Sequence, residues 1–198
     1  MISIRKALPI SFAVQFYFIS ALSLLLVPLR WLLGWVIAAA VHELGHYIAL
    51  RFCKCPVYGI RIGLSGAVME TGAMFPTTEL LSAAAGPLFG ASLLLLSKWF
   101  PVLAVCAFVQ TVFNLSPVYP LDGGRVLRSV LMTFLSEVTA IHISNAVSMI
   151  LCCIAFVLLF SVCFKLSMPL LPILVFVIVA FKCYRAKLSC KGEVSAVQ

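Results

Sequence analysis

The chain has 198 residues, of which 64% are hydrophobic and 10% charged. A soluble domain is nearer half apolar and a quarter charged, so this composition excludes a soluble globular protein and points to a polytopic membrane protein. The formal net charge of +8 does not mark a nucleic-acid partner, because the basic residues stand at the ends of apolar runs, where they set membrane topology.

A membrane-spanning helix needs roughly 20 mostly apolar residues. The first such run covers about residues 8–29, behind Arg5 and Lys6. Its start resembles a signal peptide. Apolar sequence continues to Leu29 and more spans follow, so it is read as an uncleaved first span. The second run covers about 31–50. It carries Val41-His42-Glu43-Leu44-Gly45-His46-Tyr47, a His-Glu-x-x-His pattern of the kind that binds zinc on a helix. Residues four apart share one helix face, so His42 and His46 can offer two imidazoles to one metal. Glu43 is turned roughly 100° around the helix and can serve as a general base without ligating. Three ionisable groups in one turn at membrane depth are costly and mark a functional site. The plainer alternative is a chance match in a buried helix.

The connection 56–76 reads differently. Ile60, Ile62 and Leu64 alternate with Arg61 and Gly63, the period of a strand. Ser65-Gly66 is a turn signal and 67–69 a return strand, so a membrane-associated β-hairpin is expected between the second and third spans. Extended backbone at that depth is tolerated only against protein or a wet cavity. Ile60, Ile62 and Leu64 are the candidate substrate-binding residues, with an opened substrate segment added as a strand. The third run covers about 79–97 and contains Gly86-Pro87-Leu88-Phe89-Gly90, whose spacing suits close helix packing. The fourth covers about 100–119, the fifth about 141–164 and the sixth about 168–184. The fold class is therefore all-α, a polytopic membrane protein of about six transmembrane helices with that hairpin.

With six spans, 11 of the 14 Lys and Arg fall on the side that also holds both termini. By the positive-inside rule both termini are cytosolic, in a multi-pass protein of the cell membrane. His42 to His46 then lies in the cytosolic half of the second helix. Of eight cysteines, Cys106, Cys152, Cys153 and Cys163 sit in apolar runs as small hydrophobes. Cys53, Cys55, Cys183 and Cys190 sit in segments placed in the cytosol, where thiols stay reduced.

A catalytic zinc usually takes three protein ligands and leaves a position for water. Only six acids are present, and Asp122 lies just past the fourth run, on the membrane side of His46. The surrounding Asn114-Leu115-Ser116-Pro117-Val118-Tyr119-Pro120-Leu121-Asp122-Gly123 has two prolines that interrupt a helix and glycines that allow unusual backbone angles. Such a segment can unwind and turn an Asp into a bundle. Asn114 reads either as a catalytic group or as a helix–helix hydrogen bond. His142, at the start of the fifth run, reads as interfacial, and Glu70 as a polar rim residue.

Taken in order, His42-Glu43-Leu44-Gly45-His46, Gly86-Pro87-Leu88-Phe89-Gly90 and Asn114-x-x-Pro117-x-x-x-x-Asp122-Gly123 resemble the site-2 protease family of intramembrane zinc metalloproteases, over roughly residues 10–130. The resemblance implies one Zn2+ per chain held by His42, His46 and Asp122, with Glu43 as base and then acid, and Asn114 polarising the scissile peptide. It implies a zinc-dependent endopeptidase that cuts a transmembrane protein or membrane-associated proprotein near the cytosolic side of the bilayer, under control of a membrane regulatory partner. The layout is similar to the bacterial subgroup that processes a sporulation sigma factor, but a single domain, 1–198, is expected, without separate PDZ or CBS domains. Two other classes are weighed: a catalytically silent scaffold of the same fold, and a metal transporter, for which the remaining spans supply few ligands. Reporter fusions test the topology. Those at Lys98 and Lys165 are expected outside, and those at Lys54, Arg128 and the C-terminus in the cytosol; an outside signal at the C-terminus would overturn the six-span count.

Overall fold

A computed structural model describes residues 9–63 and 66–166. The described elements run β1 (Ile10–Phe12), α1 (Val14–Leu26), α2 (Leu29–Phe52), β2 (Val57–Gly63), β3 (Gly66–Thr71), α3 (Pro76–Ser92), α4 (Pro101–Asn114), α5 (Asp122–Phe134) and α6 (Glu137–Leu166), with a 3-10 turn at Leu93–Leu96 after α3. They group into two compact units, Met1–Leu115 and Ser116–Gln198.

In the first unit α2, α3 and α4 pack on one another. The core between them is built from small residues: Ala38, Ala83, Ala104 and Ala107 are buried, while large side chains such as Leu25, Trp35, Leu88 and Phe108 are exposed. This inversion suits a chain whose solvent is lipid. Apolar surface gains little by leaving hydrocarbon, and helices associate through close backbone approach and interhelical hydrogen bonds. Gln110 Nε2 donates to the Trp35 carbonyl at 2.9 Å, tying α4 to α2. The tightest crossing is α2 on α3 at Gly45. A Cβ there would lie 2.7 Å from the Ala85 carbonyl oxygen and 2.8 Å from Phe89 Cβ.

The expected hairpin is present and has a third strand. β2 and β3 pair antiparallel, with Ile60 opposite Met69 and Ile62 opposite Ala67. β1 adds in parallel to the other edge of β2, Ile10 opposite Ile60 and Phe12 opposite Ile62. The sheet order is β1-β2-β3, so β2 is central. Alternation puts Arg61 and Glu70 on the face opposite Ile60 and Met69, where they form an exposed ion pair at 2.8 Å.

Three helices among the described residues are long and apolar enough to cross a membrane: Leu29–Phe52, Pro76–Leu96 and Glu137–Leu158. These meet the second, third and fifth expected spans. The first expected span, 8–29, is built differently. Its opening residues leave the helix to pair with β2, and α1 has only 13 residues, about 20 Å at ~1.5 Å per residue. The fourth, 100–119, is also shorter. α4 has 14 residues and ends at Asn114, because Pro117 and Pro120 cannot supply the amides that would continue it. The sixth, 168–184, and the candidate Leu64 lie outside the described residues. In the second unit α5 occupies a stretch expected to be a connection. Four residues earlier than expected, α6 starts behind Ser136, whose hydroxyl accepts from the Thr139 amide at 3.4 Å as an N-cap.

Gly45→Ala is expected to destabilise the protein by about 1–3 kcal/mol, the usual cost of overpacking. Thermal unfolding in detergent measures it, and an unchanged midpoint would show that α2 and α3 are not held this closely.

Candidate active site

α2 presents His42 and His46 on the same face, and both are buried. Their Nε2 atoms converge to 3.1 Å. Two nitrogens on one tetrahedral zinc, each ~2.0–2.1 Å from the ion, stand about 3.3 Å apart, so the pair fits a shared metal without moving the helix. The other ring nitrogen of His46, Nδ1, lies 2.8 Å from the Ser82 carbonyl of α3. As a donor to that carbonyl, Nδ1 carries the proton and leaves Nε2 its lone pair for a ligand, the arrangement in which a backbone acceptor fixes the tautomer of a metal-binding histidine.

The two rings need room, and α3 supplies it by lacking side chains. A Cβ at Gly86 would run into the His46 imidazole, and one at Gly90 would meet Thr111 Oγ1 at 2.9 Å and His42 Nδ1 at 3.6 Å. The glycine pair thus packs closely, as its spacing suggests, and the surface it packs on is the histidine pair itself. Pattern reading identified the packing but not its partner. Ser82 was missed altogether, because its contribution is a carbonyl oxygen that every residue type carries.

Asn114, the last residue of α4, is half-buried and brings Nδ2 to 3.5 Å from His42 Nε2, at the limit for a hydrogen bond and so a neighbour rather than a firm partner. Glu43 is half-buried on the sheet-facing side of α2, where its Oε1 would lie 3.7 Å from a Cβ at Gly66. It helps line a cavity of about 300 Å³ together with Ala40, Leu44, Tyr47, Ile60 and Met69. Ile60 therefore stands beside Glu43 through its side chain. The main-chain groups of Ile60 and Ile62 are not a free edge, since β1 and β3 flank them on both sides.

In the second unit Asp122 is buried and opens α5. The Arg125 Nη1 lies 3.7 Å from its Oδ1. A carboxylate at a helix N-terminus is stabilised by the helix dipole. A Cβ at Gly124 would collide with the backbone of Val118 and Tyr119, so the Gly123-Gly124 pair lets the 116–121 segment fold back tightly on the start of α5. The Tyr119 amide donates to Ser148 Oγ at 2.9 Å, which ties this segment to α6.

Comparison with known proteins gives three findings. The profile of Peptidase family M50 matches residues 91–160, a stretch that holds Asn114 and Asp122 but not the histidine pair. A curated zinc metalloprotease of Methanocaldococcus jannaschii is 32% identical over 115 residues, covering 48% of this chain and 32% of that protein. The chain thus spans about a third of that relative's length. The solved structure of a site-2 protease from the same organism has a TM-score of 0.64 at 27% identity, covering 91% of each chain. The family model and the curated relative are those of metalloproteases, and the family model is that of the M50 peptidases. Within that family the likeness is to the site-2 proteases, and the family resemblance drawn from the sequence motifs holds.

Gly86→Ala is expected to displace the His46 ring and lower bound zinc by about 10–100-fold in affinity, as removal of a supporting contact does. Zinc content by elemental analysis of the purified protein checks this; full retention would mean that α3 does not shape the pair.

Proposed function

We propose that the chain is a zinc-dependent intramembrane endopeptidase, folded as a single catalytic domain, that cleaves a transmembrane or membrane-associated protein near the cytosolic side of the bilayer. The observation that carries this is the buried convergence of His42 and His46 at 3.1 Å with Glu43 beside them at an apolar cavity. The sequence motifs add Asp122, buried at the start of α5, to His42 and His46 as the third donor. Two imidazoles and a carboxylate are a donor set found in catalytic zinc sites.

In this reading those three residues hold the zinc, which when bound supplies the Lewis acidity that makes water a nucleophile near neutral pH. Glu43, unable to ligate from its side of α2, takes the proton of the attacking water and passes it to the leaving amine. The Asn114 amide donates to the carbonyl oxygen as negative charge develops there. A helical substrate hides its carbonyls in hydrogen bonds and must be opened first. With both edges of β2 taken, an opened segment adds as a strand at the outer edge of β3, while Ile60 meets it by side chain. Multi-pass topology with cytosolic termini puts the chemistry on the cytosolic side, and membrane proproteins and a membrane regulatory partner are the expected partners.

The Glu43→Gln variant separates this from a silent scaffold. It is expected to keep its zinc while cleavage of a co-expressed membrane substrate falls by at least about 100-fold, the lower bound for losing an acid–base group. New protein N-termini in cells with and without the substitution are the measurement. Equal cleavage in both would refute the endopeptidase reading.

A further inference from the structure

One polar group on α4 has no role in the chemistry assigned above. Among the described residues the Thr111 hydroxyl oxygen is buried and has no hydrogen-bond partner. Hydroxyls in apolar helices commonly bond a carbonyl three or four residues back on their own helix. Ser92, Thr133, Ser148 and Ser161 do so here, at 2.6–2.8 Å. Thr111 does not, although a buried hydroxyl without a partner carries its full desolvation penalty. What it faces lies on another helix. A Cβ at Gly90 would stand 2.9 Å from Thr111 Oγ1 and 3.6 Å from His42 Nδ1. The hydroxyl of α4 and the ring nitrogen of α2 thus border one small gap, which is open because Gly90 of α3 has no side chain. Asn114, three residues further along α4 and on the same face, brings Nδ2 to 3.5 Å from the other ring nitrogen of His42, Nε2. One face of α4 therefore flanks both nitrogens of the His42 imidazole.

Imidazole chemistry gives the direction of the contact. A neutral imidazole that offers the Nε2 lone pair to a metal carries its proton on Nδ1. A ligating histidine is oriented by an acceptor for that proton, and for His46 the acceptor is the Ser82 carbonyl at 2.8 Å. We propose that Thr111 is the positioning residue of His42, its hydroxyl oxygen accepting the Nδ1–H directly or through one water held in the gap at Gly90. The proposal rests on the endopeptidase reading in taking His42 as a zinc ligand. The two imidazoles are then held by different neighbours: His46 by a backbone carbonyl of α3, which any residue supplies, and His42 by a side chain of α4, which substitution can remove.

The test is the zinc affinity of the full-length protein in detergent, measured by competition with a chromogenic chelator. Thr111→Val keeps the shape and removes the hydroxyl, and it is expected to weaken zinc binding about 10–100-fold, the usual effect of losing a partner of a metal ligand. Thr111→Ser keeps the hydroxyl and removes the methyl, and it is expected to bind as the wild type does. Thr111→Ala should behave as Thr111→Val, which keeps the proposal open to refutation if valine disturbs folding. The thermal midpoint in excess chelator is expected to be no lower for Thr111→Val than for the wild type, whereas a residue that only packs would lower it. Wild-type affinity in the valine and alanine variants overturns the proposal and leaves His42 a zinc ligand with some other acceptor. A loss in Thr111→Ser as large as in Thr111→Val also overturns it, because the methyl would then be the part that matters. His42→Ala is measured alongside. If it binds zinc as tightly as the wild type, His42 is no ligand, and the endopeptidase reading falls together with the proposal.

Discussion

Everything at the candidate site depends on how closely α3 approaches α2 beside the two histidines. Burying an imidazole without a partner costs roughly 1–3 kcal/mol per unsatisfied polar group, and in hydrocarbon no water is at hand to relieve it. α3 meets the need in two ways. The Ser82 carbonyl takes the His46 Nδ1 proton at 2.8 Å, and Gly86 and Gly90 leave the volume that the rings fill. The crossing at Gly45 brings the two backbones near enough for both. A side chain at any of these glycines would separate the helices and withdraw the hydrogen bond together with the space.

The same constraint explains which parts of the protein could be read from its residues. His42, Glu43 and His46 were legible because helical spacing fixes which side chains share a face, whatever packs on them. The hairpin was legible because Ile60 and Ile62 alternate with polar neighbours and a turn signal follows. Its third strand was not. Ile10–Phe12 is only three residues long, too short to show a period, and its parallel pairing with Ile60–Ile62 joins segments 50 residues apart, a contact that no local pattern announces. The first apolar run accordingly read as a single span. α5 was hidden for another reason: its first turn contains Gly123 and Gly124, poor helix formers, and its role emerges only from the tight return of the chain at Tyr119.

In the proposed reading the sheet meets substrate through both its backbone and its side chains. β2 is satisfied on both edges, so it serves as a rigid floor that carries Ile60 to the cavity. Among the described residues the outer edge of β3 pairs with no further strand, and the proposed reading uses it for main-chain recognition, which is tolerant of sequence.

The most direct test of the central claim, a zinc held by two imidazoles and a carboxylate, is zinc X-ray absorption on the purified protein in detergent. The account predicts a first shell of nitrogen and oxygen at about 2.0–2.2 Å, outer-ring scattering from two imidazoles, and loss of one imidazole in the residual metal of His46→Ala. A shell containing sulfur at about 2.3 Å, or one without imidazole scattering, would contradict it.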